Sequence, residues 1–323
     1  MGCRESRPIK HCTPEHAQRP KKLLPVMVRF TSFGPFLDVQ LNPSKEIALV
    51  VASSCFDVLG NALPSSNRGE TLLVDGAPLV PGNDNKNGSS KKRDEGAKVD
   101  EYSTTAKLLS HEVLPVTIDG VTNYVQNVSR VVHSQIEVKG GHVLDEIVLL
   151  VHFGVHMSAE TVKVETRAYN EAHFPAGDAA GVVKQHEVVF QGEDDDNAPP
   201  FEFIEVPIPV EVLSGTVASA NEEFGMDDAR SSTSPPELTV SSDAGRYLCN
   251  YLFLHSLQLN VTLQDSCIER EPRFFSVFVH VMDTRKKSAE VQGKLIAAFL
   301  KNLITALRSF VATHSNTLVL HDV

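Results

Sequence analysis

The sequence has few cysteines, no long apolar run and no excess of positive charge. Its five cysteines include no Cys-x-x-Cys pair, which argues against a disulfide-stapled scaffold and against a zinc ribbon. No uninterrupted apolar stretch reaches about 18 residues, the length that predicts a transmembrane helix. The chain of 323 residues carries 30 Lys and Arg against 41 Asp and Glu, whereas non-specific nucleic-acid binding needs a basic surface. We therefore expect a globular protein of a reducing compartment, the cytosol, with no nucleic-acid partner and with cysteines that act as thiols.

Positive charge is concentrated at the N-terminus, where residues 1–29 carry seven Lys and Arg against two Glu. The first six residues, MGCRES, match the pattern for N-myristoylation. Gly2 is thus a candidate for myristoylation and Cys3 for palmitoylation, and two such chains would anchor the protein peripherally on the cytosolic face of a membrane. The alternatives are a disordered basic tail over residues 1–23, or translation that begins at Met27 and omits the motif.

Apolar strand-like segments alternate with helix-like segments from residue 24 onward, which predicts an α/β sandwich around one sheet. The continuous apolar run at 146–156 is typical of a strand buried on both faces of a parallel or mixed sheet. Asn42 followed by Pro43 predicts the start of a helix. Further segments are predicted as strands at 24–33, 237–242 and 274–282, and as helices at 120–136 and 288–312.

Three polar stretches interrupt this alternation. They have too little apolar content to offset the entropy of ordering, and we expect loop-like insertions into a single domain that spans residues 24–323. They lie near 81–101, 184–200 and 221–237.

Cys249 is the cysteine best placed for chemistry. A predicted strand ends near Ser242, the Asp-Ala-Gly sequence turns the chain, and a helix is predicted to begin around Tyr247. A cysteine in the first turn of a helix lies at the positive end of the macrodipole, which favours the nucleophilic thiolate. The alternative is a small buried side chain without a chemical role, the usual fate of a free cysteine.

A thiolate nucleophile needs a base and a group that orients the base. His280 lies in the apolar run FFSVFVHVM, where an imidazole is costly to bury without a partner. Glu165 could orient His280 as the acid of a triad does. From the residues alone, a lone strand histidine such as His280 is more often a satisfied core residue, and Glu165 is one carboxylate among many.

Four short segments, in this order along the chain, resemble the motifs of the pyroglutamyl-peptidase I family, the pyrrolidone carboxyl peptidases. The third, around Cys249, is the closest match, and Glu165 follows the second segment as it does in that family. The segments are FTSFGPF at 30–36 with Asn-Pro-Ser at 42–44, VHFGV at 151–155, SSDAGRYLCN at 241–250 and FVHV at 278–281.

The resemblance implies a three-layer α/β/α sandwich around one mixed, mostly parallel sheet, phosphorylase/hydrolase-like in fold. It also implies a cysteine peptidase that needs no metal and no cofactor and that removes N-terminal pyroglutamate (5-oxoproline) from peptides. Cys249 would be the nucleophile, His280 the general base and then acid, and Glu165 the residue that orients His280.

The resemblance further implies residues that bind the substrate. Phe33 and Phe36 would surround the flat lactam ring, although strand-end packing is an equal alternative for both, and Val155 would contact the lactam through its backbone. A family arginine near the oxyanion has no clear counterpart, and His173 is the residue that could stand there. Two other functions stay open: a different α/β thiol hydrolase or amidohydrolase, and a non-catalytic, membrane-tethered relative.

Overall fold

A six-stranded sheet forms the centre of the structure. The computed structural model describes residues 24–36, 42–56, 106–141, 144–191, 199, 201–228, 237–267 and 272–314. The strands of the sheet are β1 (Val26–Phe33), β2 (Ala106–Leu114), β3 (Ile147–Val155), β4 (Val162–Glu165), β9 (Leu238–Ser241) and β10 (Phe274–Val281). Two small antiparallel ribbons are formed by β5 (Arg167–Tyr169) with β8 (Phe203–Glu205), and by β6 (Glu171–Phe174) with β7 (Lys184–Val188). The helices are α1 (Pro43–Cys55), α2 (Ile118–Val138), α3 (Val210–Asp228), α4 (Leu248–Asp265) and α5 (Ala289–His314).

The sheet is mixed and mostly parallel, with the strand order β2-β1-β3-β10-β4-β9. Strands β2, β1, β3 and β10 are parallel to one another, β4 is antiparallel to β10, and β9 is parallel to β4. The predicted α/β fold around one mixed, mostly parallel sheet is therefore confirmed. The strand direction reverses between β10 and β4, and these two strands carry part of the candidate site.

Helices cover the sheet in two groups. Helices α1 and α3 pack on α5, and α2 packs on α4. In β10, Phe275 lies against Phe310 of α5 and Phe278 lies against Phe253 of α4. Side chains an odd number of positions apart in a strand point to opposite faces, so α5 and α4 lie on opposite sides of the sheet.

The local sequence explains where these elements form. Every residue of β10 is buried, as is every residue of β3 except Val155, as expected for strands covered on both faces. The side chain of Asn42 accepts a hydrogen bond from the backbone N–H of Ser44 at 3.1 Å, and Pro43 is the first residue of α1. The predicted start of this helix is therefore confirmed.

The polar stretches behave differently from one another. The loop predicted over residues 221–237 is wrong for residues 221–228, which belong to α3. The helix continues because Leu213, Val217, Ala220 and Phe224 recur at helical spacing and lie on its inner side. The second stretch contains β7, and residues 81–101 lie outside the described residues.

Among the described residues, one helix, α5, is long and apolar enough by length and composition to cross a membrane. Its apolar side chains are used inside the fold, since Phe299, Leu303 and Leu307 are fully buried and the helix packs on α1 and α3. In this structure α5 is therefore a core helix.

A chain of buried hydrogen bonds joins the sheet to α4. His152 Nδ1 lies 2.7 Å from Thr31 Oγ1, and His152 Nε2 lies 2.8 Å from Ser256 Oγ. Ser256 continues the chain to Ser276, to which Asn260 also donates a hydrogen bond at 2.8 Å. Burial lowers the pKa of His152 to about 3, so its ring is neutral and can donate one hydrogen bond and accept the other. The chain fixes α4 against β1, β3 and β10.

Gly293 marks the closest approach of α5 to α1. A Cβ at this position would lie 2.5 Å from Val50 Cγ1 and 2.6 Å from Val50 Cβ. We expect Gly293→Ala to lower the free energy of unfolding by about 1–3 kcal/mol, because overpacking outweighs the better helix propensity of alanine. Urea denaturation followed by circular dichroism measures the change.

The double variant Gly293→Ala with Val50→Gly is the matched control, because glycine lacks both Cβ and Cγ1, the two atoms that the new methyl group meets. The two substitutions should be strongly non-additive. Additive free energies would show that this contact does not limit how closely the helices pack.

Candidate active site

Three elements bring Cys249, His280 and Glu165 together. Cys249 is the second residue of α4, His280 is the seventh of β10, and Glu165 is the last of β4. His280 Nδ1 lies 2.8 Å from Glu165 Oε1, and the His280 side chain also forms a hydrogen bond with the Cys249 side chain. The three side chains therefore form one continuous line from sulfur to carboxylate.

The reversal of strand direction next to β10 creates this arrangement. Because β4 is antiparallel to β10, Glu165 lies opposite Phe278 and Lys163 lies opposite His280. Glu165 is thus a diagonal neighbour of His280 on the same face of the sheet, within reach of a long side chain. The carboxylate enters the site from a strand whose direction opposes that of the strand carrying the histidine.

Gly154 makes room for the thiol. It lies opposite His280 in the β3–β10 pair, and a Cβ at this position would lie 2.8 Å from Cys249 Sγ and 2.7 Å from Phe278 Cζ. Both distances are shorter than van der Waals contact allows, so a side chain here would displace the sulfur. Gly154 belongs to a segment quoted above, but this role is not visible in the sequence.

The charges of the site favour a protonated His280. Burial lowers the pKa of this side chain, but the negative charge and hydrogen bond of Cys249, followed by those of Glu165, raise it to about 9. His280 is 3% exposed and Glu165 is fully buried. An imidazolium next to the fully buried carboxylate of Glu165 compensates a charge that would be costly to bury alone, and Cys249 on its other side is half-buried.

The start of α4 offers unpaired backbone donors beside the sulfur. Tyr247 is the N-cap residue and makes no side-chain capping hydrogen bond. The N–H groups of the first helical turn have no partner within a helix, and they lie at the positive end of the macrodipole. An oxyanion that forms next to Cys249 can therefore be stabilised by this helix terminus.

Asn250 ties another segment of the chain to the first turn of α4, where Cys249 lies. Its fully buried amide accepts a hydrogen bond from Tyr169 N–H at 2.8 Å and donates to the carbonyl oxygens of Tyr169 and Glu171 at 2.8 and 3.0 Å. These three bonds fix the segment that joins β5 to β6 beside the start of α4. Sequence reasoning did not assign this residue a role, although a polar side chain in the first turn of an apolar helix is a detectable signal.

The residues predicted to bind a lactam ring lie in two different surroundings. Phe36 is half-buried, and its ring centroid lies 6.0 Å from that of Tyr247. Tyr247 is two residues before Cys249 in the sequence. Val155 is half-buried at the end of β3. Phe33 is 4% exposed and lines a cavity of about 260 Å³ with Val113 and other residues, none of them from the triad.

His173 lies close to the nucleophile segment but is turned toward another histidine. Its backbone N–H donates to the carbonyl oxygen of Arg246 at 2.8 Å, and its ring stacks on that of His186 with centroids 3.8 Å apart. Arg246 is held by Glu171 and Asp243 and lies over the ring of Tyr169. No contact between His173 and the triad is seen among the described residues.

The other cysteines of the described chain have surroundings of a different kind. Burial raises the pKa of Cys55 to about 12, and its thiol donates to the carbonyl oxygen of Ala297 at 3.4 Å. Cys267 is buried, and Gly2 and Cys3 lie outside the described residues. Cys249 differs from Cys55 in lying next to a histidine that is itself held by a carboxylate.

Comparisons with known proteins identify similar folds. No protein-family model matches the sequence, and no curated protein sequence matches it. A crystal structure of pyrrolidone carboxyl peptidase from Pyrococcus furiosus is similar with a TM-score of 0.50 and 16% identity, covering 88% of this chain and 99% of that one. The fold is similar to that of a peptidase.

Two further solved structures are similar over comparable lengths. Pyrrolidone carboxyl peptidase from Thermococcus litoralis has 18% identity and a TM-score of 0.48, covering 88% of this chain and 96% of that one. The enzyme of the same name from Fervidobacterium islandicum AW-1 has 17% identity and a TM-score of 0.48, covering 86% and 98%. At identities this low, the likeness concerns the fold and does not extend to the chemistry of the site.

The charges around His280 predict that the pKa of its side chain depends on Cys249. In the unmodified protein, the pKa of His280 is about 9, so its ring should stay protonated through neutral pH. In Cys249→Ala the largest cause that raises this pKa is gone while burial still lowers it, and the midpoint should move to lower pH. Nuclear magnetic resonance of the imidazole carbons measures both midpoints.

Cys55→Ala is the matched control, since this thiol lies far from His280 in the fold and should leave the titration unchanged. The same His280 midpoint in all three proteins would contradict a charge pair between Cys249 and His280.

Proposed function

We propose that the protein is a cysteine peptidase that removes N-terminal pyroglutamate from peptides, with Cys249, His280 and Glu165 as its catalytic residues. The observation that carries the proposal is the continuous line of hydrogen bonds from Cys249 through His280 to the buried Glu165 at the start of α4. A nucleophile, a base and an orienting carboxylate in hydrogen-bond reach are the parts that covalent hydrolysis needs. The similarity in fold to a pyrrolidone carboxyl peptidase agrees with it.

The first half of the reaction forms a thioester. Cys249 Sγ attacks the carbonyl carbon that joins pyroglutamate to the next residue, and the carbonyl oxygen becomes an oxyanion beside the N–H groups of α4. The C–N bond then breaks as protonated His280 gives its proton to the leaving amine. The released product is the peptide shortened by one residue.

The second half regenerates the enzyme. His280, now neutral, takes a proton from a water molecule, and the resulting hydroxide attacks the thioester carbon. The C–S bond breaks, pyroglutamate leaves as a free acid, and the thiolate–imidazolium pair forms again. Glu165 holds the imidazole through Nδ1 during both halves, as the acid of a triad does.

The surroundings of Cys249 suit a small flat ring. Phe36 and Tyr247 place partly exposed aromatic rings next to the start of α4, and aromatic faces bind planar apolar groups well. Val155 ends its strand beside Gly154, where its backbone can meet the polar edge of a lactam.

The decisive assay is the hydrolysis of a fluorogenic 5-oxoprolyl amide by the purified protein in the presence of reductant. We expect turnover in the unmodified protein and a loss of several orders of magnitude in Cys249→Ala and in His280→Ala. Glu165→Gln should also be strongly impaired but should cost less, because in such triads removal of the acid costs less than removal of the nucleophile or the histidine. Fluorescence of the released amine follows each reaction.

Cys55→Ala again serves as the matched control and should keep its activity. No turnover in the unmodified protein, or turnover undiminished in Cys249→Ala, would contradict the proposal. Faster cleavage of amides that lack the 5-oxoproline ring would instead favour a different thiol amidohydrolase on the same fold.

Gly154 gives a second test that leaves all three catalytic side chains in place. We expect Gly154→Ala to lower kcat by about 100-fold, since its methyl group would occupy space next to Cys249 Sγ and a displacement of about 1 Å has a cost of that order. Gly215→Ala is the control, because a Cβ there meets nothing within 4 Å. Full activity of Gly154→Ala would refute the role of this glycine in seating the thiol.

A further inference from the structure

Lys163 is a cation next to the base of the candidate triad. It lies opposite His280 in the β4–β10 pair, and side chains of residues paired in this way share one face of the sheet. It is half-buried. Among the described residues it makes no hydrogen bond and no ion pair, so its charge is not matched by a partner.

His156 shows how close this charge lies to the site. Its ring is perpendicular to that of His280, with centroids 5.7 Å apart, and its backbone N–H donates to the carbonyl oxygen of Val281 at 2.9 Å. The pKa of His156 is lowered by burial and then by the positive charges of His280 and Lys163. The side chains of His156, His280 and Lys163 therefore lie close together where β10 ends and β4 begins.

Two other cations near this end of β10, within the described part of the chain, are already paired. Lys286 Nζ lies 2.6 Å from Glu160 Oε1 and donates to the carbonyl oxygen of Ala159. Arg285 is held by Asp283, with its Nε 2.8 Å from Oδ2. Glu165 Oε1 is bonded to His280. Within the described residues, Lys163 is thus a half-buried cation whose charge is available to a bound molecule.

The reaction decides which part of a substrate reaches this charge. Because His280 must protonate the leaving amine, the residue that follows the scissile bond has to lie within reach of the groups around His280. Under the proposed function, pyroglutamate itself binds by Phe36 and Val155.

We propose that Lys163 is a specificity-determining residue that selects peptides carrying a carboxylate on the residue after pyroglutamate. The inference rests on the proposed function and adds a substrate class to it. The half-buried ammonium of Lys163 gains an ion pair when such a peptide binds. A peptide with a neutral side chain at this position adds no ion pair. His156 lies beside the ammonium and limits the space in which the carboxylate can bind.

Two peptides that differ in one charge test the proposal. They are 5-oxoprolyl-Asp-Ala and 5-oxoprolyl-Asn-Ala, which have nearly the same shape, and mass spectrometry of the released dipeptides measures kcat/KM for each. At low ionic strength we expect the aspartyl peptide to be favoured about fivefold, as one partly exposed ion pair allows. Added salt should reduce the preference.

Variants assign the preference to this side chain. Lys163→Met should remove the preference while the asparaginyl peptide is still hydrolysed, and Lys163→Glu should reverse it. Lys286→Met is the matched control, since its ammonium is already paired with Glu160, and it should keep the preference. Circular dichroism checks that each variant is folded.

The outcomes separate the two proposals. Hydrolysis of both peptides at equal rates, or a preference that survives in Lys163→Met, would overturn the role of Lys163 while the peptidase function stands. Failure to cleave either peptide, together with failure on the fluorogenic amide, would refute the peptidase function on which the inference rests.

Discussion

The buried contact between His280 and Glu165 is the constraint on which the site depends. A fully buried carboxylate is tolerated only where a positive charge compensates it, and here that charge is the imidazolium that also faces Cys249. The carboxylate comes from β4, the strand at which the direction of the sheet reverses relative to β10. The register of this antiparallel pair places Glu165 opposite Phe278, so the topology of the sheet and the electrostatics of the site are linked.

The position of Cys249 depends on hydrogen bonds that lie outside the candidate triad. The neutral His152 links β1 and β3 to α4 through buried hydrogen bonds, and Asn250 ties the segment after β5 to the first turn of the same helix. A polar network that is fully satisfied in a core specifies one arrangement. The start of α4 is therefore held from both sides, which is what a preorganised thiolate and its donors need.

Much of this could be predicted from the sequence, and the exceptions have physical reasons. The buried strands and the start of α1 follow from apolar runs and from the Asn-Pro pair, which act locally. The continuation of α3 beyond residue 220 was missed because its polar composition suggests a loop, while its burial depends on α5, distant in the chain. The roles of Gly154, Asn250 and Lys163 arise from strand register and from contacts across 80 residues or more, which no local pattern encodes.

The close approach of Gly154 to the sulfur has a consequence for how such a chain can change. The two positions share one small volume, since a side chain on β3 and the thiol of α4 would need the same space. Neither can become larger unless the other becomes smaller or α4 moves away from the sheet. Substitutions at 154 and 249 are thus tied to each other, and the ring of Phe278, whose Cζ would lie 2.7 Å from a Cβ at 154, favours a glycine there even without the thiol.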